Sequence, residues 1–430
     1  MSDFVCHESL RLGEKYYEAD HRSGLKILVF PKKFSTCYAI VGTRFGSADE
    51  HFRVNGKEIR LPDGTAHFLE HKLFENSDGV NSDERFSAIG AETNAYTTYS
   101  ATRYLFSATR SYKECLSELL RFVTHPYFTK ENVAKEQGII KQEIMMYADD
   151  PYEKVMENCL RAMYRRNGVR KSICGTASSI SKITPELLYE AYNTFYNPHN
   201  MILSICGDIT PEEVIEVVDR ELPENTERCC AEPIDSNEPE SVYKAYIEKR
   251  MRVARPLFFI GVKDRVEPNG EKRFCRQLAM TVLNNMLFSG TGEFYNRLIE
   301  IGLITHGFSF GYSSGPSFAM NYFAGNTEDP QKVYELIRKK AMSAVCGELD
   351  RADFERCRRS SLAAYFKSFD SSSEIADDVM MTAFCAGVEP FSIPEKIEAL
   401  TFEETAALAG ELFREDNWTM SAVLPIEEQT

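Results

Sequence analysis

The sequence predicts an α+β protein built from two like domains, and three observations carry that prediction. At 430 residues and 43 % hydrophobic content, the chain exceeds what one compact core usually serves. Short Thr-, Tyr- and Ile-rich extended runs share both halves with longer helical stretches. The order of those elements in the first half returns in the second, which points to a duplicated unit of about 200 residues.

Strand-like runs at 15–20, 26–31 and 37–44 lead through a polar stretch, 47–63, into a helix over about 64–75. Two strands follow at 92–98 and 102–109, then a helix over 112–124, before Pro126. The run 130–147 reads as helix, stopped at Asp149-Asp150-Pro151 because the residue before a proline avoids the helical basin. Thr184-Pro185-Glu186 starts another helix with proline at its first position, and 201–206 is a strand. The acidic, proline-marked stretch 222–241 reads as linker, so the domains are expected at 1–225 and 242–430, with 226–241 between them. In the second half, strands at 242–249 and 256–263 precede a helix at 270–288 and a turn at Ser289-Gly290-Thr291-Gly292. Strands at 304–312 and 317–325, helices at 329–345, 350–368, 371–386 and 402–413, and a strand at 417–424 complete the chain.

Composition excludes several classes of function. A formal charge of −15 argues against nucleic acid, which demands a basic footprint. No uninterrupted apolar run approaches the roughly 18 residues needed to span a bilayer, so no membrane partner is expected. The first 22 residues lack a cationic start followed by an apolar core, so no secretory signal is expected. Twelve cysteines are scattered without a C-x-x-C pair, which suits a reducing cytoplasm, and Cys229-Cys230 reads as incidental.

The segment His67-Phe68-Leu69-Glu70-His71 is an inverted zinc-hydrolase motif, H-x-x-E-H. On a helix His67 and His71 are four residues apart, so both imidazoles leave one face about one turn apart and can reach one zinc ion. Glu70 flanks that position, where a carboxylate can take a proton from a water held at the metal. Two histidines leave such a site short of one protein ligand. Glu136 and Glu143, seven residues apart, project from one helical face about 10 Å apart along the axis. One can ligate the metal while the other orients a ligand or the water.

Four stretches, 64–75, 92–106, 135–144 and 195–208, carry a resemblance to the insulinase/pitrilysin family of zinc metallopeptidases, which includes the mitochondrial processing peptidases. The chain is most similar to a bacterial processing-peptidase-like subgroup. That resemblance implies two homologous domains of the mitochondrial processing peptidase/LuxS-like metallohydrolase fold, each an antiparallel-rich sheet packed with helices. It implies one zinc ion per chain on His67, His71 and Glu143, with Glu70 as general base and Glu136 as a supporting acid. It implies that Asn94, Ala95 and Tyr96 lie on a strand edge beside the zinc, which can pair with an extended peptide. Active relatives also carry an arginine followed seven residues later by a tyrosine; here Arg297 fits the first position and Ile304 stands at the second. The expected activity is therefore a zinc metalloendopeptidase acting on peptides or small unfolded proteins in an enclosed chamber. It would pair with a metal-free homologous subunit or with itself, and Ile304→Tyr would raise a feeble rate in the isolated chain. The alternative is a non-hydrolytic or weakly active peptide-binding or maturation subunit of a heterodimeric complex. His125, His199 and His306 are read as structural.

Overall fold

The structure, a computed structural model, describes residues 4–225 and 227–426. The outermost parts of the two expected domains, 1–3 and 427–430, and the first expected linker residue, Thr226, lie outside the described residues. In chain order the strands are β1 (Val5–Ser9), β2 (Glu14–Asp20), β3 (Lys26–Pro31), β4 (Cys37–Thr43), β5 (His51–Val54), β6 (Lys57–Arg60), β7 (Ala91–Thr97) and β8 (Thr102–Ala108). They continue as β9 (Met201–Gly207), β10 (Glu232–Pro233), β11 (Tyr246–Met251), β12 (Leu257–Lys263), β13 (Ser309–Ser314), β14 (Ala319–Asn326) and β15 (Trp418–Pro425).

The chain folds as two compact units. The stretch ending at Ile144, with Ser172–Ile234 and Phe366–Phe391, forms the first; Met145–Lys171, Asp235–Tyr365 and the stretch from Ser392 form the second. The first holds the sheet β1-β2-β3-β9-β4-β8-β7 and the small sheet β10-β5-β6, and the second holds β11-β15-β12-β14-β13. The last five strands of the first sheet and all five of the second follow one order, in which the final strand of each half inserts beside its first. That inserted pair is parallel in both, β3 with β9 and β11 with β15, while the other neighbours are antiparallel. The fold is α+β with two homologous domains.

Each sheet is covered on both faces, which explains the continuous apolar runs in its central strands. Ile27, Val29, Ala39 and Val41 pack into one core with Leu116 and Leu119 of helix Tyr112–Thr124 and Val214 and Val217 of helix Pro211–Glu221. On the other face Phe30 meets Phe369 and Phe391. In the second unit Phe258, Ile260 and Val262 pack with Leu283 and Leu287 of helix Gly270–Phe288. Helix Pro151–Met163 packs against β12 and β15 from the other face. A Cβ on Gly261 of β12 would fall 2.1 Å from the Met163 Cε, so the end of that helix's methionine fills the space the glycine leaves. The second face of each sheet is thus covered by a segment from the opposite half of the chain.

Two local expectations change. Asp149-Asp150-Pro151 both ends one helix and starts the next: Asp150 accepts hydrogen bonds from Tyr152 N (2.8 Å) and Glu153 N (3.3 Å), with Pro151 at the first turn. The strand expected at 304–312 begins only at Ser309, and Ile304, 3 % exposed, sits in the second core behind helix Glu293–Glu300.

Candidate metal centre

The histidine helix, Thr65–Leu73, begins without a side-chain cap of its own, because Gly64 stands at the N-cap. The buried Glu50 supplies the missing acceptor, taking hydrogen bonds from Gly64 N (2.8 Å) and Ala66 N (3.4 Å). A carboxylate there also meets the positive end of the helix dipole. Ala66, Phe68, Leu69 and Leu73 bury one side of the helix in the first core, which turns His67 and His71 toward helix Lys130–Asp149. That helix in turn buries Val133 and Ile140.

Glu143 stands between the two imidazoles. His67 Nε2 lies 3.6 Å from its Oε1 and His71 Nε2 lies 3.5 Å from its Oε2. The rings themselves are 4.5 Å apart between centroids. These separations exceed a good hydrogen bond. Two donors each roughly 2.0–2.1 Å from a tetrahedral ion stand about 3.3 Å apart, so the three side chains fit a zinc ion with small adjustment. The other nitrogen of His71, Nδ1, is 3.0 Å from Glu136 Oε1, the carboxylate–histidine contact that fixes a metal-binding ring. Burial alone would lower the His71 pKa, but the hydrogen bond and charge of Glu136, with Glu143 and Glu70 adding, raise it. Burial would raise Glu136, and the His71 contact with Lys72 and Lys135 lowers it instead. His67 Nδ1 is buried and has no hydrogen-bond partner among the described residues.

Glu70 accepts a 2.5 Å hydrogen bond from the Thr97 hydroxyl at the end of β7. It faces a groove also lined by His71, Glu75, Ala95, Lys135 and Ile139. β7 is an edge strand of its sheet. Alternation puts Thr97 on the face toward the histidine helix and Tyr96 on the other, where its hydroxyl donates to Asp377 at 2.6 Å. Asn94 shares the Tyr96 face, and its own Oδ1 accepts from Ala95 N at 2.9 Å. Asn94 and Ala95 both line the groove that Glu70 faces. Arg297 belongs to the second unit, exposed on helix Glu293–Glu300. Tyr312 donates to Asp264 at 2.7 Å. His199 packs over Gly24 and approaches Asn225 O at 3.1 Å, a loop role.

Four neighbours of the site have no role assigned by the motif. Lys72 directly follows His71 and Thr97 directly follows Tyr96, whereas Glu50 and Cys174 lie in separate segments. The buried Lys72 pairs with Glu75 at 2.6 Å and stands 3.8 Å from Glu136. The Cys174 Sγ is 3.8 Å from His67 Nε2. Gly64 beside the motif and Gly175 beside the cysteine are the only local signals that two loops meet there.

Residues 55–177 match the family described as Insulinase (Peptidase family M16), and 182–361 match the Peptidase M16 inactive domain. The chain belongs to the insulinase family of peptidases. It is 36 % identical to the "Uncharacterized zinc protease YmfH" of Bacillus subtilis (strain 168), over 96 % of this chain and 98 % of that one. A crystal structure of an M16-like peptidase from Alicyclobacillus acidocaldarius superposes with a TM-score of 0.94 at 33 % identity, covering 97 % of this chain and all of its own. A chain from Arabidopsis thaliana, named as a mitochondrial-processing peptidase subunit beta, is 20 % identical over 85 % of this chain and 71 % of its own.

Proposed function

We propose that the protein is a zinc-dependent metalloendopeptidase that cuts peptides or small unfolded proteins held in an enclosed chamber. The observation that carries this reading is the convergence of the His67 and His71 Nε2 atoms on the Glu143 carboxylate at 3.6 and 3.5 Å. His67, His71 and Glu143 would hold the ion, and Glu136 would keep the His71 ring oriented through Nδ1. When bound, zinc supplies Lewis acidity, which brings the pKa of a water toward about 7 and polarises a carbonyl. Glu70 accepts the proton of the attacking water on its carboxylate and returns it to the leaving amine nitrogen. Thr97 holds the Glu70 Oε2 and so leaves Oε1 for that proton. The substrate backbone pairs with the β7 edge at Asn94, Ala95 and Tyr96 as an added strand, which accepts many sequences.

Arg297 would serve the oxyanion, but no tyrosine follows it, since Ile304 is core. This supports a heterodimer with a homologous subunit that lacks the metal motif and supplies the arginine–tyrosine pair. The subunit name of the Arabidopsis relative fits such an assembly. No helix among the described residues is long and apolar enough to cross a membrane. None of the twelve cysteines is joined in a disulfide, which supports a reducing cytoplasmic setting.

Glu70→Gln tests the reading. It should keep a full equivalent of zinc and lose turnover by about 10²–10⁴-fold on a mixed peptide library, whereas His71→Ala should lose metal and activity together. Undiminished hydrolysis by Glu70→Gln would refute the assignment.

A further inference from the structure

We infer that Cys174 is an additional metal donor, placing a thiolate in the ligand set beside His67 and Glu143. The inference rests on the metal reading above and extends it to a residue outside the motif. Donor atoms of His67, Glu143 and Cys174 all lie within 4.8 Å of one another. A zinc–sulfur bond of about 2.3 Å and a zinc–nitrogen bond of about 2.0 Å put two such ligands about 3.6 Å apart around a tetrahedral ion. The Cys174 Sγ is 3.8 Å from His67 Nε2, so a movement of a few tenths of an ångström, on the order of side-chain adjustment, would complete that geometry. His67 and Cys174 are each 7 % exposed, so bulk water does not compete for the space between them.

The position of this thiol is built by two glycines. Gly64, at the start of the histidine helix, has φ 94°, and a Cβ there would fall 2.6 Å from the Cys174 carbonyl oxygen. Gly175 has φ 73°, and a Cβ there would fall 2.2 Å from the Asp63 carbonyl oxygen. Each glycine thus fits a left-handed backbone into a gap too narrow for any side chain. Together they press the loop carrying Cys174 against the loop that opens the histidine helix. Other buried cysteines, such as Cys37 and Cys115, lie instead in the apolar first core.

A thiolate is a softer donor than a carboxylate or imidazole, so its presence makes the site bind zinc more tightly and favour thiophilic metals.

The test loads the full-length chain with Co²⁺ in place of zinc and records its absorption spectrum. Thiolate–cobalt bonding gives an intense near-ultraviolet charge-transfer band that nitrogen and oxygen ligands do not. The band is expected in the wild type and absent from Cys174→Ser and Cys174→Ala, which should still bind one cobalt through the histidines and Glu143. Zinc affinity, read by competition with a chromophoric chelator, should fall at least about tenfold in both variants, the lower bound even for changes outside the ligand set. Circular dichroism and melting of the metal-free variants establish that they fold. A wild-type cobalt spectrum without the band, or unchanged zinc affinity in the variants, would overturn the role of Cys174 while leaving the histidine–glutamate centre intact. A wild-type chain that takes up neither cobalt nor zinc would overturn both.

Discussion

The two sheets share a strand order, yet each unit satisfies its buried charges differently. In the second unit Asp264 and Arg276, 6 % and 8 % exposed, are joined by two hydrogen bonds of 2.8 and 2.9 Å. Tyr312 and Glu411 close the remaining positions at 2.7 and 2.8 Å. In the first unit His71 meets Glu136 at 3.0 Å, while the half-buried Glu143 lies 3.5–3.6 Å from two imidazole nitrogens. The second unit thus closes its buried cluster with direct hydrogen bonds, whereas the proposed metal ligands of the first are spaced as an ion between them would require.

The largest expected effect sharpens this contrast. Arg276→Ala leaves the Asp264 carboxylate buried without its cation and should cost on the order of 3–5 kcal/mol in chemical denaturation. The loss should be equal with zinc and with a chelator, because the second cluster needs no ion. A penalty present only in the zinc-loaded protein would break the comparison. Next, Ile304→Tyr forces a larger side chain into the packed second core and should destabilise by about 1–3 kcal/mol. It should bring no gain in peptide turnover, contrary to what the arginine–tyrosine spacing alone implies. A faster enzyme of unchanged melting temperature would mean that the site, not the core, claims this position. Smallest, Glu136→Gln weakens only the support of His71 and should reduce zinc affinity by about 10–100-fold, or about 1.4–2.7 kcal/mol. Titration of both variants with zinc separates this loss from that of Glu143→Ala, which removes a ligand outright. Equal losses in the two would erase the distinction between holding the metal and holding the histidine.

Much of this architecture is legible in the sequence where a single element carries the signal. The helices 112–124 and 270–288 are found by apolar periodicity within one window, and the histidine helix by its motif. Reading Asp150-Pro151 only as a stop hides helix Pro151–Met163, since a proline that ends one helix is also the preferred first residue of another. The apolar run around Ile304 reads as strand because periodicity shows that residues are buried without showing in what. The β5–β6 hairpin hides in the polar stretch 47–63 because its strands are short and half exposed. At the site, residues of one helix face are legible by spacing, and the seven-residue step from Glu136 to Glu143 is one such case. Glu50, Thr97 and Cys174 come from other segments and meet the motif only through tertiary packing, which leaves no periodic trace.

The exchange of covering segments also sets a timetable for biosynthesis. The first sheet has all its strands once β9 has left the ribosome, but Phe30 and Tyr16 wait for Phe391 and its neighbours, which are made far later. At about 5–20 residues per second the delay is roughly ten to thirty seconds. Through that interval one apolar face of the first sheet stands open to solvent, and at its start helix Pro151–Met163 is made while its own sheet is not yet begun. A nascent chain of this kind is a natural client for a holding chaperone. A gene cut at the linker would yield two fragments, each lacking a wall that the other encodes.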